Sequence, residues 1–217
     1  MFDWKRVLVL APHTDDAELG CGGTIARLIE EGVEIFIAVF STAEKSLPPG
    51  VPPGTLREEF LKAMETMEVP PSNLLVFDFE VRRLNYYRQE VLEKIVQIKK
   101  QVSPDAVFLP ASTDLHQDHQ VIFQEGMRAF KNTTVLGYEL PWNHLSFEAS
   151  FLIELATRHL EKKWQAMLCY QTQFMLRRPY FAKSFIESLA RMRGVQVDVE
   201  YAEAFQALRV LSRMKNK

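Results

Sequence analysis

The chain has 217 residues, 47% hydrophobic and 25% charged, enough for one substantial core and one expected domain over residues 1–217. Its 26 basic and 28 acidic side chains nearly cancel, which excludes a global field that recruits nucleic acid or an anionic membrane. No apolar run approaches the roughly 20 residues that cross a bilayer, and Met1-Phe2-Asp3-Trp4-Lys5-Arg6 leads straight into a strand pattern with no room for a signal peptide, so a cytoplasmic protein without membrane insertion is expected.

Val7–Ala11 is an unbroken apolar run, as a strand buried on both faces requires, and Thr24–Glu31 carries helical spacing that stops at Gly32. A second apolar run, Val33–Phe40, is followed by the Pro/Gly-rich "SLPPGVPPG", which has the composition of a mobile lid, and by a helical pattern over Leu56–Met67. Leu74–Phe77 reads as a strand, Gln89–Gln101 as an amphipathic helix and Ala106–Leu109 as another buried strand. A helix from Asp118 to about Phe130 and a strand over Thr134–Tyr138 come next. Helices near Thr157–Cys169 and Tyr180–Met192 and a β-rich stretch at Val195–Tyr201 complete the expectation. The alternation predicts an α/β, Rossmann-like three-layer fold, with a mostly parallel sheet flanked by helices. Cys21 and Cys169 are too few for a disulfide framework and are expected to be small buried residues.

In open α/β sheets, ligands bind outside the carboxyl ends of the strands. Two such ends carry polar clusters: "PHTDDAE" after Val7–Ala11, with His13, Asp15, Asp16 and Glu18, and "PASTDLHQDHQ" after Ala106–Leu109, with Asp114, His116, Asp118 and His119. The glycines of "GCGGT" do not complete a dinucleotide-binding fingerprint, and two aspartates before them would repel a pyrophosphate. They read instead as residues that permit close packing. A histidine and an aspartate from the first loop with a histidine from the second would supply the three ligands of a catalytic zinc, leaving a position for water. A remaining carboxylate could then act as general base and a remaining histidine could stabilise an oxyanion.

"APHTDDAELGCGGT" and "HQDH" resemble, in order and strand context, the two signature motifs of the LmbE-like or PIG-L family of zinc-dependent N-deacetylases. The resemblance implies that His13, Asp16 and His119 bind one zinc ion per chain. It implies that Asp15 is the general base and later the acid, that His116 stabilises the oxyanion, and that Asp118 orients His116 or keeps it protonated. The expected substrate is an N-acetylated amino sugar or its conjugate, and the resemblance implies a homo-oligomer.

Thr14 stands where the family usually has proline, and Ala17 separates the acid pair from Glu18. The family often has R-x-x-E on the helix after the second strand; here Arg57 in "LREEF" stands only two residues before Glu59 and is the candidate substrate contact, while Arg82 and Arg83 in "FEVRRL" replace a family acid. Arginines at a strand end can grip carboxylate or phosphate bidentately, so an anionic group on the substrate is expected. "YELPWNH", Tyr138 to His144, could line a sugar pocket. Lys163, Tyr170, Gln171 and Gln173 resemble another family region, and Glu203 in "YAEAF" could approach the site. Two further functions fit the residue types: a metal-dependent phosphoesterase, which would need two metals, and a non-catalytic sugar-binding protein with a degenerate site.

Overall fold

The computed structural model describes residues 3–212. Met1 and Phe2, which belong to the argument against a signal peptide, lie outside the described residues. The strands are β1 (Arg6–Ala11), β2 (Glu34–Val39), β3 (Leu74–Val76), β4 (Ala106–Pro110), β5 (Thr134–Tyr138), β6 (Phe151–Leu155) and β7 (Tyr201–Arg209). They form one sheet in the order β3-β2-β1-β4-β5-β7-β6. The first five are parallel, and β7 runs antiparallel to both β5 and β6.

The continuous apolar run of β1 has the physical reason expected of it. Val7, Val9 and Ala11 enter one core and Leu8 and Leu10 the other, so both faces of the central strand are covered. On the first face lie α1 (Asp16–Glu30), α2 (Thr55–Thr66), α5 (Thr157–Met167) and α7 (Lys183–Val195); on the second lie α3 (Arg88–Val102) and α4 (Gln117–Ala129). A short α6 (Gln171–Met175) precedes α7. Among the described residues no helix is long and apolar enough to cross a membrane.

Four expectations are corrected. The first helix begins at Asp16 rather than Thr24, because the glycines that mask its periodicity are packing positions: a Cβ on Gly20 would fall 2.4 Å from the Tyr138 ring and one on Gly23 2.5 Å from Leu155. Val195–Tyr201 is not a strand up to its last residue. Val195 ends α7, Val195 and Val197 are 73% and 46% exposed, and Asp198 takes a left-handed φ of 59°, so the valines sit in a turn before β7. The edge strand β6 was not expected; its five residues bury only Ile153 and Leu155 and offer no continuous apolar run. Cys21 is buried, but Cys169 is only half-buried.

Candidate active site

β1 and β4 are adjacent and parallel, so the turn after β1 and the loop after β4 emerge side by side at the carboxyl edge of the sheet. The first, with the start of α1, carries His13, Asp15 and Asp16; the second, with the first turn of α4, carries Asp114, His116, Asp118 and His119. The two meet in a cleft of about 390 Å³ lined by His13, Asp15, Asp16, His116 and His119. Ala43 and Ser46 also line it, which brings the start of the Pro/Gly-rich loop to the rim.

Three donor atoms face one another there. His13 Nδ1 lies 3.1 Å from Asp16 Oδ2, His119 Nε2 lies 3.3 Å from the same oxygen, and the two nitrogens are 3.3 Å apart. A tetrahedral zinc with bonds of about 2.0–2.1 Å would space its ligands about 3.3–3.4 Å apart, so this triangle fits the metal. His116 is the other candidate ligand, within 4.8 Å of the His13 and His119 donors. Its Nδ1, however, accepts the Asp118 backbone N–H at 3.2 Å and thereby caps α4.

Each imidazole of the triangle has a carboxylate on its other nitrogen. His119 Nδ1 is 2.7 Å from Asp114 Oδ2, and His13 Nε2 is 3.0 Å from Asp118 Oδ2. Such partners fix the tautomer and orientation of a ligating histidine. The Asp118 carboxylate therefore serves His13, and only its backbone N–H meets His116, which differs from the expected orienting role. The His13 N–H donates to Asp16 Oδ2 at 2.8 Å and steers that carboxylate.

The electrostatics favour a bound cation. Burial opposes charge on His13 and His119, yet Asp16, helped by Asp118 and Asp114 respectively, raises them to about 9 and about 10. Against its own burial, Asp16 is driven far below the usual carboxylate range by His119 and His13. Burial, then the Asp16 charge, lifts Asp15 to about 6, and burial with the neighbouring histidines lowers His116 to about 4. Asp15 makes no capping bond at the start of α1, so its carboxylate is left to the cleft.

Behind this edge, the Tyr170 hydroxyl lies 2.6 Å from the Thr14 carbonyl and 2.5 Å from Glu18 Oε1. One hydroxyl proton cannot serve two acceptors, so Glu18 supplies the second proton as a neutral acid. Burial pushes its carboxyl up to about 8, against the pull of that hydrogen bond.

The three expected substrate arginines separate. Arg82 lines the cleft. Arg57 instead faces Asp78 at 3.9 Å, and Arg83 pairs with Glu80 at 3.5 Å and covers the Tyr86 ring; neither lines the cleft. From "YELPWNH", Trp142 and Asn143 reach the cleft, whereas His144 is held by Thr113 and the Leu140 N–H. Gln173 lines the cleft, but Gln171 turns back to Leu168. Lys163 and Glu203 form a buried pair against α1.

Four participants had no role assigned from the sequence. Asp114 was visible in the second cluster but had no assigned task. Glu59 accepts the Thr172 N–H at 2.9 Å and its hydroxyl at 2.6 Å, anchoring the segment that carries Gln173. Arg178 and Tyr180 also line the cleft, and Tyr180 stacks on Trp142 at 3.7 Å and 8°.

Among known proteins, the chain is 29% identical over 149 residues to the uncharacterized deacetylase YaiS of Escherichia coli K12, covering 66% of this chain and 78% of that protein. It is 31% identical over 126 residues to the diacetylchitobiose deacetylase of Thermococcus kodakarensis, covering 54% of this chain and 46% of that protein. The fold is shared with the conserved protein TT1542 of Thermus thermophilus, at a TM-score of 0.79, 24% identity and 96% coverage of both chains. Residues 8–130, more than half of the chain and the span holding both histidine loops, match the PIG-L family (GlcNAc-PI de-N-acetylase), and the chain belongs to that family.

Proposed function

We propose that this metal-dependent deacetylase is a zinc enzyme that removes the N-acetyl group from an amino sugar bearing an anionic substituent. The triangle of His13, Asp16 and His119 carries the reading, since its edges of 3.1–3.3 Å suit a tetrahedral ion. Relatives named as deacetylases, one of them acting on diacetylchitobiose, support the substrate class. His13, Asp16 and His119 would hold the zinc, which when bound would supply Lewis-acid activation of water near neutral pH.

The chain's own residues account for the remaining needs of amide hydrolysis. Asp15 borders the cleft beside Asp16 and takes the proton of the attacking water. It then returns that proton to the leaving amine, without which nitrogen cannot depart. His116 receives the Asp118 N–H on Nδ1, so its own proton sits on Nε2 and can be donated to the carbonyl oxygen as negative charge develops. Arg82, on the cleft wall, is the contact for the anionic substituent.

A phosphoesterase with two metals finds less support. Asp114 and Asp118, two carboxylates beside the triangle, are engaged with His119 and His13. The test is reconstitution with zinc, metal analysis, and an assay for free amine across N-acetylated sugars that are free, nucleotide-linked or lipid-linked. One zinc per chain with amine release is expected; protein that binds no zinc, or binds it without releasing amine from any of them, overturns the proposal.

A further inference from the structure

We propose that Arg82 and Arg178 form a two-sided anion subsite at the mouth of the cleft, selecting amino sugars whose carboxylate or phosphate lies away from the acetamide; this rests on the deacetylase reading above. Both side chains line the same cleft as the histidines. They come to it from opposite flanks. Arg82 follows β3, at one edge of the sheet, whereas the arm with Arg178 is tied to the loop after β5, on the far side of β1 and β4.

Both backbones are held in place. Arg82 has a left-handed φ of 65°, a conformation that costs a non-glycine residue about 1 kcal/mol or more. Its N–H donates at 2.6 Å to Asp118 Oδ2, the oxygen that also holds His13, so the position of Arg82 is coupled to the metal-binding histidine. The Arg178 arm is pinned at one end by Glu59 on Thr172 and at the other by the Trp142–Tyr180 stack. Anchored donors lose less freedom when a ligand arrives.

Both guanidiniums are also available. Arg82 gives one of its five N–H groups to the Lys45 carbonyl at 3.3 Å, and the Arg178 side chain has no hydrogen bond or ion pair among the described residues. Neighbouring arginines are otherwise occupied: Arg57 by Asp78, Arg83 by Glu80 and Arg88 by Glu125. The floor of the cleft holds Asp15 and Asp16, which would repel an anion. The neutral acetamide therefore belongs at the floor and the anion at the arginine-bearing mouth, where a planar guanidinium can grip carboxylate or phosphate through two hydrogen bonds.

Calorimetry on the zinc-loaded protein with three deacetylated probes tests this independently of turnover: methyl glucosaminide, carboxymethyl glucosaminide and glucosamine 1-phosphate. At least one charged probe is expected to bind tenfold or more tighter than the methyl glycoside, and comparison of the two identifies carboxylate or phosphate as the preferred group. That ratio should fall at least threefold in Arg82→Ala and in Arg178→Ala and approach one in the double variant, whereas Arg83→Ala leaves it unchanged. Equal binding of neutral and charged probes, or a ratio that survives the double variant, overturns the subsite. Absence of amine release from the N-acetylated counterparts would count against the deacetylase reading alone, because the calorimetric ratio still decides the role of the arginines.

Discussion

The Lys163 ammonium and the Glu203 carboxylate meet at 2.7 Å inside the hydrogen-bond ladder of α1. The helix breaks at Cys21, whose φ of −149° is not helical. Glu203 accepts the N–H groups of Gly23 at 3.0 Å and Thr24 at 2.6 Å, and Lys163 donates to the Leu19 carbonyl at 2.8 Å. In an unbroken helix Gly23 N–H would bond to that same Leu19 carbonyl. The ion pair thus substitutes for the interrupted ladder, and the first turn, with Asp16 on it, takes a direction of its own. Both side chains are buried. Glu203→Leu should therefore cost about 3–5 kcal/mol, since it strands a buried ammonium, and adding Lys163→Met should recover part of that loss. Urea denaturation of the single and double variants measures both; equal losses would show that the charge pairing is not what matters. Zinc affinity should fall in both variants as Asp16 shifts.

The carboxylates behind the histidines give a second prediction. Asp114 holds His119 Nδ1 and also accepts the His116 N–H at 2.9 Å and the Asn143 amide at 3.2 Å. Asp118 holds His13 and accepts the N–H groups of Arg82 and Leu84. Asp114→Asn and Asp118→Asn should each weaken zinc binding about 10–100-fold, while His119→Ala removes a ligand and should abolish it. Competition against a chromophoric chelator reads all three. Wild-type affinity in the two asparagine variants would leave the imidazole orientation to packing alone.

Asp15 and Asp16 are adjacent in sequence and should separate cleanly in their effects. Asp16 belongs to the triangle, whereas Asp15 faces the cleft without a capping bond. Asp15→Asn is expected to retain zinc within a few-fold and to lose about 10²–10⁴ in kcat. Asp16→Asn should lose zinc. If Asp15→Asn lost the metal instead, the assignment of the two carboxylates would be reversed.

The sequence shows the site's chemistry because that chemistry is local. His13, Asp15 and Asp16 lie within four residues directly after a buried strand, and His116, Asp118 and His119 within four more after another, so the sheet topology alone brings them together. The rest depends on contacts between distant segments. Glu59 finds Thr172 113 residues away, and Lys163 finds Glu203 40 away, through packing that no local pattern records. The arginines make the same point: "RR" in a loop signals an anion site, but whether a given guanidinium reaches the cleft depends on where Asp78 and Glu80 fall in space. The valines of 195–199 have strand propensity, yet the chain reverses there so that β7 can enter the sheet from Tyr201.

The Tyr170 hydroxyl is the support beneath the first loop, and its removal gives the last prediction. Tyr170 is fully buried, and its oxygen sits between the Thr14 carbonyl, to which it donates, and the protonated Glu18 Oε1, from which it accepts. Glu18 Oε2 has no hydrogen-bond partner, so among the described residues the phenol is the side chain that satisfies this acid. In Tyr170→Phe both the Thr14 carbonyl and the Glu18 carboxyl lose that partner while staying buried, and each unmet group costs about 1–3 kcal/mol. Urea denaturation should show a loss in that range or somewhat above it. Thr14 lies between His13 and Asp15, so the same variant should also lower kcat. A second change, Glu18→Leu on the Tyr170→Phe background, removes the stranded acid and should restore part of the stability. If Tyr170→Phe unfolds at the wild-type midpoint, the Thr14 turn is held by packing rather than by the hydroxyl.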